Sequence, residues 1–524
     1  MTGSPRQFSY ALLWTFTLLG LLLRTYGIQA SLWMDELHTA WVVAGGLNEL
    51  PGRAALGNNH SSYFYLPWVS TNVFGTHEWS LRLTSVIAGT VLIPLMFLAT
   101  RRWTRSRLAA LLSAGLVAID PWCVVFAQEA RVYALVQCIG LLQLLTLWNV
   151  VKRPQLAHRV ALIALSTLLF YLHFTSILLL LAELLFCLAM YCRSSRRNGY
   201  SVSQLLCDAA LVLVGMLPAW PQLMDIASRR SNWELFVHVP TAAQFIYLFP
   251  LDLYVLAPIL CAGIAVVGRA LVKDTVAGRR IRPAVWLLVS VWFFVPMATA
   301  AMLTWTDVAR IFHARYLITV SLAPILFASL LCAICARPVR VAFAVVMMLI
   351  ALFSHGPIRQ ILRDGDVICH RRENWRDALR WIREHAREGA PLLFHSGLIE
   401  ADDLARQADP RFVEYCKFPL SSIYRVDDLS LQVFLLPTSD AEHFLESGLA
   451  SAADAGMALL VVRGPKQITQ RLIRAAHLRL GDSGNWSLEE QHFAGVSVAR
   501  LVNRQHYPRT TRAAQIQQPA SWHH

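Results

Sequence analysis

Two adjacent carboxylates follow the first long apolar run of the chain, in the segment Ser31 to Trp41, which reads SLWMDELHTAW. Asp35 and Glu36 stand between tryptophans, so their surroundings combine apolar and polar groups. A carboxylate in such a setting can serve as a general base, because burial raises its pKa while hydrogen bonds to the charged form oppose that rise. The alternative is an acid that is simply solvated where a membrane span ends.

Two further segments place arginines beside aromatic residues. AQEARVY contains Glu129, Arg131 and Tyr133. Arg131 could pair with Glu129, bind a lipid headgroup or grip a phosphate with its planar fork; it could also be an arginine that extends to the membrane surface. The segment ARIFHARY repeats this combination with Arg310, His313, Arg315 and Tyr316.

Other polar residues have more ordinary interpretations. Glu78 and Arg82 are four residues apart at the start of an apolar run, a spacing that favours an ion pair along one helix face. His60 lies in the polar segment NNHSSYFYLPW, without other histidines at metal-ligand spacing, and His173 lies at a tight turn where it could contact a headgroup. The pattern predicts no metal site.

The composition shows which elements must position these residues. Of 524 residues, 56% are hydrophobic and only 15% are charged, with a mean hydropathy of +0.46. This predicts an α-helical polytopic membrane protein, since about 20 apolar residues cross a bilayer as a helix. Eleven spans are expected, near residues 10–29, 79–99, 108–127, 132–151, 159–172, 174–192, 206–224, 251–272, 284–304, 317–335 and 339–355.

The distribution of charge predicts the orientation of these spans. The net charge of +14 is concentrated in one alternate set of loops, which are therefore expected to be cytoplasmic, together with the N-terminus. The charge thus reports topology rather than a nucleic-acid partner. Consistent alternation requires that the apolar run 159–192 be divided at Tyr171 to Phe174. The loops that carry the acids, the histidines and the arginines above then all lie on the non-cytoplasmic side.

The last third of the chain is more polar. An amphipathic helix around Trp375, a strand after Gly389 and strands near 457–464 and 493–503 predict a small extracytoplasmic α/β domain. We therefore expect a membrane domain over 1–355, an α/β domain over 356–510 and a flexible tail over 511–524.

The order of several motifs resembles that of a known group of membrane enzymes. The motifs are LWMDELHTAW, HSSYFYLPWVSTNVFGTHEWSLRLTSVIAG, DPWCVVFAQEARVYAL, FYLHFTSILLLLAE and ARYLITVSLAP. This order is similar to that of the GT-C superfamily of glycosyltransferases, and more narrowly to the group that contains protein O-mannosyltransferases and lipid A aminoarabinose transferases. The resemblance covers about residues 1–335.

The resemblance implies transfer of a sugar from a polyprenyl-phosphate carrier to an acceptor hydroxyl on the non-cytoplasmic side, with inversion. It implies Asp35 as the base, with Glu36 beside it as a second catalytic candidate. Arg131 and Arg315 are then candidates for the donor phosphate, with Tyr133 and Tyr316 as hydrogen-bonding neighbours. Candidate substrate-binding residues are His60, Glu129, His173, Arg310 and His313.

The implied partners are the polyprenyl-phosphate donor, membrane lipids and an acceptor that could be a protein, a glycolipid or a polysaccharide, at the inner (cytoplasmic) membrane. No cofactor is required and a divalent cation is optional, because arginines can neutralise a phosphate. The alternative is a lipid or solute transporter in which the acids and arginines gate a headgroup. Against it, the sequence shows no paired repeats and few ionisable residues inside the spans.

Overall fold

The fold is given by a computed structural model, which describes residues 5–193, 200–229, 237, 239–241, 243–244, 248–272, 280–364, 373–407, 411–480 and 485–506. The chain divides into two compact units. The larger unit combines Met1–Ala30 with Asp35–Arg371, and the smaller combines Ser31–Met34 with Arg372–His524. The tail predicted over 511–524 lies outside the described residues.

The larger unit is built from apolar helices and confirms a polytopic membrane fold. Seven described helices are long and apolar enough to cross a bilayer, or eight if one bent pair forms a single span, and three shorter apolar helices accompany them. Each of the eleven predicted spans coincides with one of these helices. The helices are α1 Pro5–Thr25, α2 Met34–Ala44, α3 Leu50–Leu56, α4 Tyr65–Phe74, α5 Glu78–Thr104, α6 Arg107–Ile119, α7 Pro121–Gln128, α8 Tyr133–Lys152, α9 Leu156–Leu172, α10 Ile177–Arg193, α11 Val202–Met216, α12 Trp220–Ser228, α13 Ala257–Val272, α14 Pro283–Trp305, α15 Leu322–Ile334, α16 Arg337–Ile350 and α17 Pro357–Asp364.

Short 3₁₀ or π turns connect or extend several of these helices. They are Ser61–Tyr63, Phe174–Ser176, Leu217–Ala219, Asp252–Leu256, Ile318–Val320 and Ala351–His355. The division predicted within 159–192 is confirmed, because α9 ends at Leu172, His173 is extended and α10 begins after the turn Phe174–Ser176. The helix α17, which the sequence placed in the C-terminal domain, groups with the membrane unit.

The predicted span 108–127 is bent rather than straight. The helices α6 and α7 meet at an angle of 52° around Asp120. A proline at position 121 disfavours helical backbone in the residue before it, and Asp120 is accordingly extended. Its carboxylate accepts the N–H of Cys123 at 2.8 Å and the hydroxyl of Tyr254 at 2.8 Å, so the restarted helix is capped.

A fully buried arginine stabilises this bend from α1. Arg24 is 0% exposed, and its guanidinium donates to the carbonyls of Ala118 at 3.1 Å and Val117 at 2.9 Å. These carbonyls belong to the last turn of α6, where helical partners are missing. The guanidinium passes close to Gly89 of α5, where an added Cβ would lie 3.0 Å from Nε of Arg24.

The smaller unit is an α/β domain with a five-stranded sheet. Its strands are β1 Pro391–His395, β2 Gln432–Leu435, β3 Met457–Arg463, β4 Trp486–Phe493 and β5 Val496–Asn503. The order is β2-β1-β3-β5-β4, in which β1 pairs in parallel with β2 and β3, and β5 pairs antiparallel with β3 and β4. The predicted α/β class is therefore confirmed as a mixed sheet.

Five helices accompany this sheet. They are α18 Trp375–His385, α19 Glu400–Gln407, α20 Arg411–Ser421, α21 Leu445–Ala455 and α22 Lys466–Leu480, with a 3₁₀ turn at Asp427–Leu429. Of these helices, α18, α21 and α22 pack against the strands of the sheet. The central strand β3 is apolar and buried on both faces from Met457 to Val462, and it ends at the partly buried Arg463. Trp375 at the start of α18 is fully buried and packs edge-on against Phe394 of β1.

We expect Arg24→Met to lower the free energy of unfolding by about 3 kcal/mol, because carbonyl groups at the end of α6 lose charged donors. Thermal unfolding in detergent would measure this. Arg102→Met, which removes an exposed arginine from α5, should cost less than about 1 kcal/mol. Equal effects of the two substitutions would contradict a role for Arg24 in holding the bend.

Candidate active site

The site is organised around the first turn of α2, which begins at Met34. Asp35 and Glu36 are consecutive in this helix and therefore project about 100° apart. The two carboxylates consequently meet different partners. Glu36 is 1% exposed, whereas the side chain of Asp35 is 30% exposed.

Glu36 forms a buried bidentate ion pair with Arg82 of α5. Nε of Arg82 donates to one carboxylate oxygen at 2.7 Å, and Nη2 donates to the other at 2.6 Å. Both side chains are at most 5% exposed. Nη1 of Arg82 also donates to the carbonyls of Ile28 and Ala30 at 2.8 Å each. The pair thus joins α2, α5 and the segment that follows α1.

Side chains of α2 and α5 also form hydrogen bonds with the backbone of the segment before α8. Glu36 accepts the N–H of Ala130 at 2.7 Å, and the hydroxyl of Thr39, one turn along α2, donates to the carbonyl of Ala130 at 2.8 Å. Ser85, one turn beyond Arg82 on α5, donates to the carbonyl of Arg131 at 2.8 Å. The backbone of Arg131 is therefore fixed from two helices.

Two arginines converge on Asp35. Nη1 of Arg315 donates to a carboxylate oxygen of Asp35 at 2.9 Å, and Nη1 of Arg131 donates to the backbone carbonyl of Asp35 at 3.3 Å. Nη2 of Arg131 is 3.4 Å from the amide oxygen of Asn59. The side chain of Arg315 is 25% exposed. The structure thus brings together the acid and the two arginines that the sequence singled out.

Glu129 lies in the same electrostatic neighbourhood. Burial raises its pKa, as do the charges of Glu36 and Asp35, while Arg315 and Arg131 oppose the rise; the resulting pKa is about 8. Glu129 therefore carries a proton over most of the neutral pH range. A neutral acid at this position adds no negative charge beside Asp35 and the arginines.

The histidines near the site are neutral. Burial lowers the pKa of His173 to about 4, with a smaller contribution from Arg131, and it lowers the pKa of His313 to about 4, with a contribution from Arg315. Nδ1 of His173 is 2.7 Å from the hydroxyl of Thr175, which donates to the carbonyl of Tyr316 at 2.7 Å. These contacts connect the turn after α9 to the segment that carries Arg315.

Aromatic rings complete this neighbourhood. The ring of His173 lies 6.0 Å from that of Tyr133 and 6.1 Å from that of Tyr316. The rings of His313 and Tyr316 are 5.8 Å apart. The two predicted tyrosines therefore lie around one histidine, between the segments of Arg131 and Arg315.

Two predicted residues have mainly local partners. His60 caps the short turn Ser61–Tyr63 through Ser62, its ring lies 4.4 Å from that of Tyr171, and burial lowers its pKa. Arg310 donates to Asp307 at 2.7 Å. Neither residue makes a described hydrogen bond with Asp35.

Sequence reasoning missed the residues that hold the site in place. It offered Glu78 as the partner of Arg82 and did not anticipate Glu36, and it did not single out Thr39, Ser85 or Asn59. For Glu36, Thr39 and Ser85 the available signal was a polar residue within an otherwise apolar helix, whereas Asn59 lies in the loop after α3. Among the described residues, no group of three or more His, Cys, Asp or Glu side chains is arranged to hold a metal ion.

Comparisons with known proteins agree with this architecture. Residues 62–224 match the family model described as Dolichyl-phosphate-mannose-protein mannosyltransferase. No curated protein matches the chain significantly. The crystal structure of ArnT from Cupriavidus metallidurans bound to undecaprenyl phosphate is similar, with a TM-score of 0.54 and 14% identity over 95% of this chain and 98% of that chain. The apo structure of that protein gives a TM-score of 0.52 at 13% identity, over the same shares of the two chains.

These matches confirm the predicted resemblance to the GT-C superfamily. The family model begins within the turn Ser61–Tyr63 and ends in α12, and the structural match covers 95% of the chain. The chain therefore has a GT-C membrane fold with a small C-terminal mixed-sheet domain.

We expect Glu36→Gln and Arg82→Met each to lower the free energy of unfolding by about 3–5 kcal/mol, because either change leaves a buried charge without its partner. The double variant Glu36→Met/Arg82→Met should recover part of the loss. The matched control is Glu49→Gln, which breaks the exposed pair with Arg53 and should cost less than about 1 kcal/mol. Additive losses in the double variant would contradict the coupling.

We expect Glu129→Gln to stabilise the protein in alkaline solution. The folded pKa of about 8 exceeds the ordinary value of 4.5, so the folded state binds more protons between these values and stability falls as pH rises through that window. At about pH 8.5 the wild type should be less stable than the variant by a few kcal/mol, and the difference should vanish near pH 4. Melting temperatures across this range measure it; parallel profiles would contradict a raised pKa.

Proposed function

We propose that the chain is a membrane glycosyltransferase that moves a sugar from a polyprenyl-phosphate carrier to an acceptor hydroxyl. The observation that carries the proposal is the contact between Asp35 and Arg315 at 2.9 Å, with Arg131 on the same residue's carbonyl. A partly exposed carboxylate beside two arginines provides a base for an acceptor and cations for a leaving phosphate. The GT-C fold supports the same assignment.

The donor is proposed from the charge of the site. A guanidinium binds a phosphate through two parallel N–H bonds and stays charged at any physiological pH. Since His173 and His313 are neutral, the positive charge is concentrated on Arg131 and Arg315. Tyr133 and Tyr316 are proposed to donate hydroxyl hydrogen bonds to the same phosphate. A similar fold binds undecaprenyl phosphate in ArnT, and we propose this class of lipid carrier here.

The proposed reaction is a single displacement with inversion. Asp35 accepts the proton of the acceptor hydroxyl, whose oxygen forms a bond to the anomeric carbon. The bond between that carbon and the phosphate oxygen breaks, and its electron pair remains on the polyprenyl phosphate. The arginines stabilise this charge as it develops.

This geometry requires the contact between Asp35 and Arg315 to open when the donor binds. In a displacement with inversion, the base and the leaving phosphate lie on opposite sides of the anomeric carbon. The donor phosphate therefore takes over Arg315, and the freed oxygen of Asp35 becomes available to the acceptor. Both side chains are partly exposed, which allows this exchange without unfolding the buried Glu36–Arg82 pair.

The remaining residues have supporting roles in this proposal. Glu36 orients α2, neutral Glu129 avoids a second negative charge beside the donor, and His60 and His173 shape the surroundings. No step needs a resident metal, because two arginines match the charge of the phosphate. We propose that the reaction takes place on the non-cytoplasmic face of the inner membrane. The acceptor classes are a protein, a glycolipid or a polysaccharide.

The test is release of polyprenyl phosphate from a panel of polyprenyl-phosphate monosaccharides by the purified protein in lipid. Asp35→Asn should lower acceptor-dependent release by about 10²-fold or more, because the hydroxyl loses its base. The same variant should bind undecaprenyl phosphate at least as tightly as the wild type, since Arg315 is no longer neutralised. Loss of binding together with turnover would contradict the role of base.

The matched control is Asp307→Asn, which changes an exposed acid paired with Arg310 and should leave release unchanged. Release that continues after treatment with a chelator would support a transfer without metal. If no donor releases its carrier while labelled lipid crosses the bilayer, the protein is a transporter and the proposal fails.

A further inference from the structure

Four residues before the acid pair group with the C-terminal α/β unit and not with the membrane helices that flank them in sequence. This segment, Ser31–Met34, is here called the strap. Leu32 is 0% exposed, Trp33 6% and Met34 1%. The α/β unit thus holds the residues directly before Asp35.

The strap is held by its backbone as well as by burial. The N–H of Leu32 donates to the hydroxyl of Tyr424 at 2.9 Å, and the N–H of Met34 donates to Oε2 of Glu373 at 2.9 Å. In return, the N–H of Arg376 donates to Oγ of Ser31 at 3.2 Å. The contacts of Leu32 and Met34 use only the backbone of the strap, so they fix its path independently of those two side chains.

Glu373 is itself rigidly placed. Its Oε2 accepts Nε1 of the fully buried Trp375 at 2.8 Å, and its Oε1 accepts Nε of Arg463 at 2.9 Å. The side chain is 14% exposed. Arg463 is the last residue of β3, so it stands at the carboxyl end of the parallel strands. This is the edge at which open α/β sheets commonly bind ligands. Here Arg463 at that edge donates to Glu373, which in turn accepts the N–H of Met34 in the strap.

The contact with Met34 has a particular effect on α2. Met34 is the first residue of that helix, and the first N–H groups of a helix have no acceptor within it. A carboxylate at this end accepts such an N–H and interacts favourably with the helix dipole. Glu373 therefore fixes where α2 begins, and Asp35 is the next residue.

We propose that Glu373 is a positioning residue for Asp35, and that the α/β unit serves the transfer by fixing the first turn of α2. The inference rests on the proposed function, in which Asp35 is the base. Glu373 touches neither the acceptor nor the donor in this proposal. Its loss therefore lowers the rate of the chemical step more than it changes donor binding.

The experiment compares Glu373→Ala and Glu373→Gln with Asp402→Asn in the full-length protein in lipid. Asp402 is a matched control, because it is a buried acid of the same unit whose described hydrogen bonds, from the N–H and the hydroxyl of Ser439 at 2.8 and 2.9 Å, do not involve the strap. Two readouts are taken: kcat and KM for polyprenyl phosphate release, and backbone hydrogen exchange of the peptide that covers residues 32–37.

Glu373→Ala should lower kcat by about tenfold or more with KM within about twofold, because small displacements of a catalytic group are costly. Exchange over 32–37 should rise. Glu373→Gln keeps one acceptor oxygen and should fall between the wild type and Glu373→Ala. Asp402→Asn should change neither readout, even where it lowers the melting temperature.

The inference is overturned if Glu373→Ala keeps the wild-type kcat, or if its hydrogen exchange over residues 32–37 is unchanged. It is also overturned if Asp402→Asn loses kcat and gains exchange to the same extent. The exchange readout does not depend on activity. If the wild-type protein releases no carrier from any donor, the proposed function fails and the positioning of a base fails with it, while exchange still decides whether Glu373 holds the start of α2. Active wild type with an unaffected Glu373→Ala variant overturns the inference alone.

Discussion

The buried ion pair between Glu36 and Arg82 is the interaction on which the site depends. It joins α2 to α5, and the Glu36 carboxylate also receives the N–H of Ala130. Removing charges from water costs several kcal/mol, which a pair recovers only with near-ideal geometry and further hydrogen bonds. Here the bidentate contact and the two carbonyls that accept from Arg82 provide them. The result is a fixed platform from which the adjacent Asp35 extends to more accessible surroundings.

The charges around Asp35 are arranged with little redundancy. Glu129 is a neutral acid because it is buried beside two other carboxylates, and His173 and His313 are neutral bases because they are buried near arginines. The side chains that remain to carry charge beside one another are Asp35, Arg131 and Arg315. An incoming phosphate therefore meets Arg131 and Arg315 as the nearby cations.

Much of the fold could be predicted from the sequence because its determinants are local. Apolar runs of bilayer length located the spans, and the alternation of basic loops required the division at His173. The β3 and β5 strands were visible as apolar or alternating runs, whereas β2 has only four residues and β4 carries the exposed, charged stretch LEEQH, so neither resembles a buried strand. The bend at Asp120 depends on one proline and one capping carboxylate within an otherwise continuous apolar run.

The candidate site was predicted only in part, for a related reason. The charged loops were expected to lie on one side of the membrane, and this expectation identified Asp35, Arg131 and Arg315 as site candidates. The partner of Arg82 could not be read in the same way, since Glu78 lies one helical turn away while Glu36 lies 46 residues away. Arg24 was not singled out from the sequence, and its role is visible only in the structure, where the carbonyls of α6 accept from it. Pairings across the fold are set by packing, which spacing along the chain does not encode.

The distance along the chain between Met34 and Glu373 has a consequence for biosynthesis. The two residues are 339 positions apart, so at about 5–20 residues per second the ribosome adds Glu373 roughly 20–70 s after Met34. During that interval the membrane helices can insert and associate while the start of α2 still lacks its carboxylate. A chain interrupted before the α/β unit would thus contain Asp35, Arg131 and Arg315 without the group that fixes the first turn. Completion of the site is thereby coupled to completion of translation.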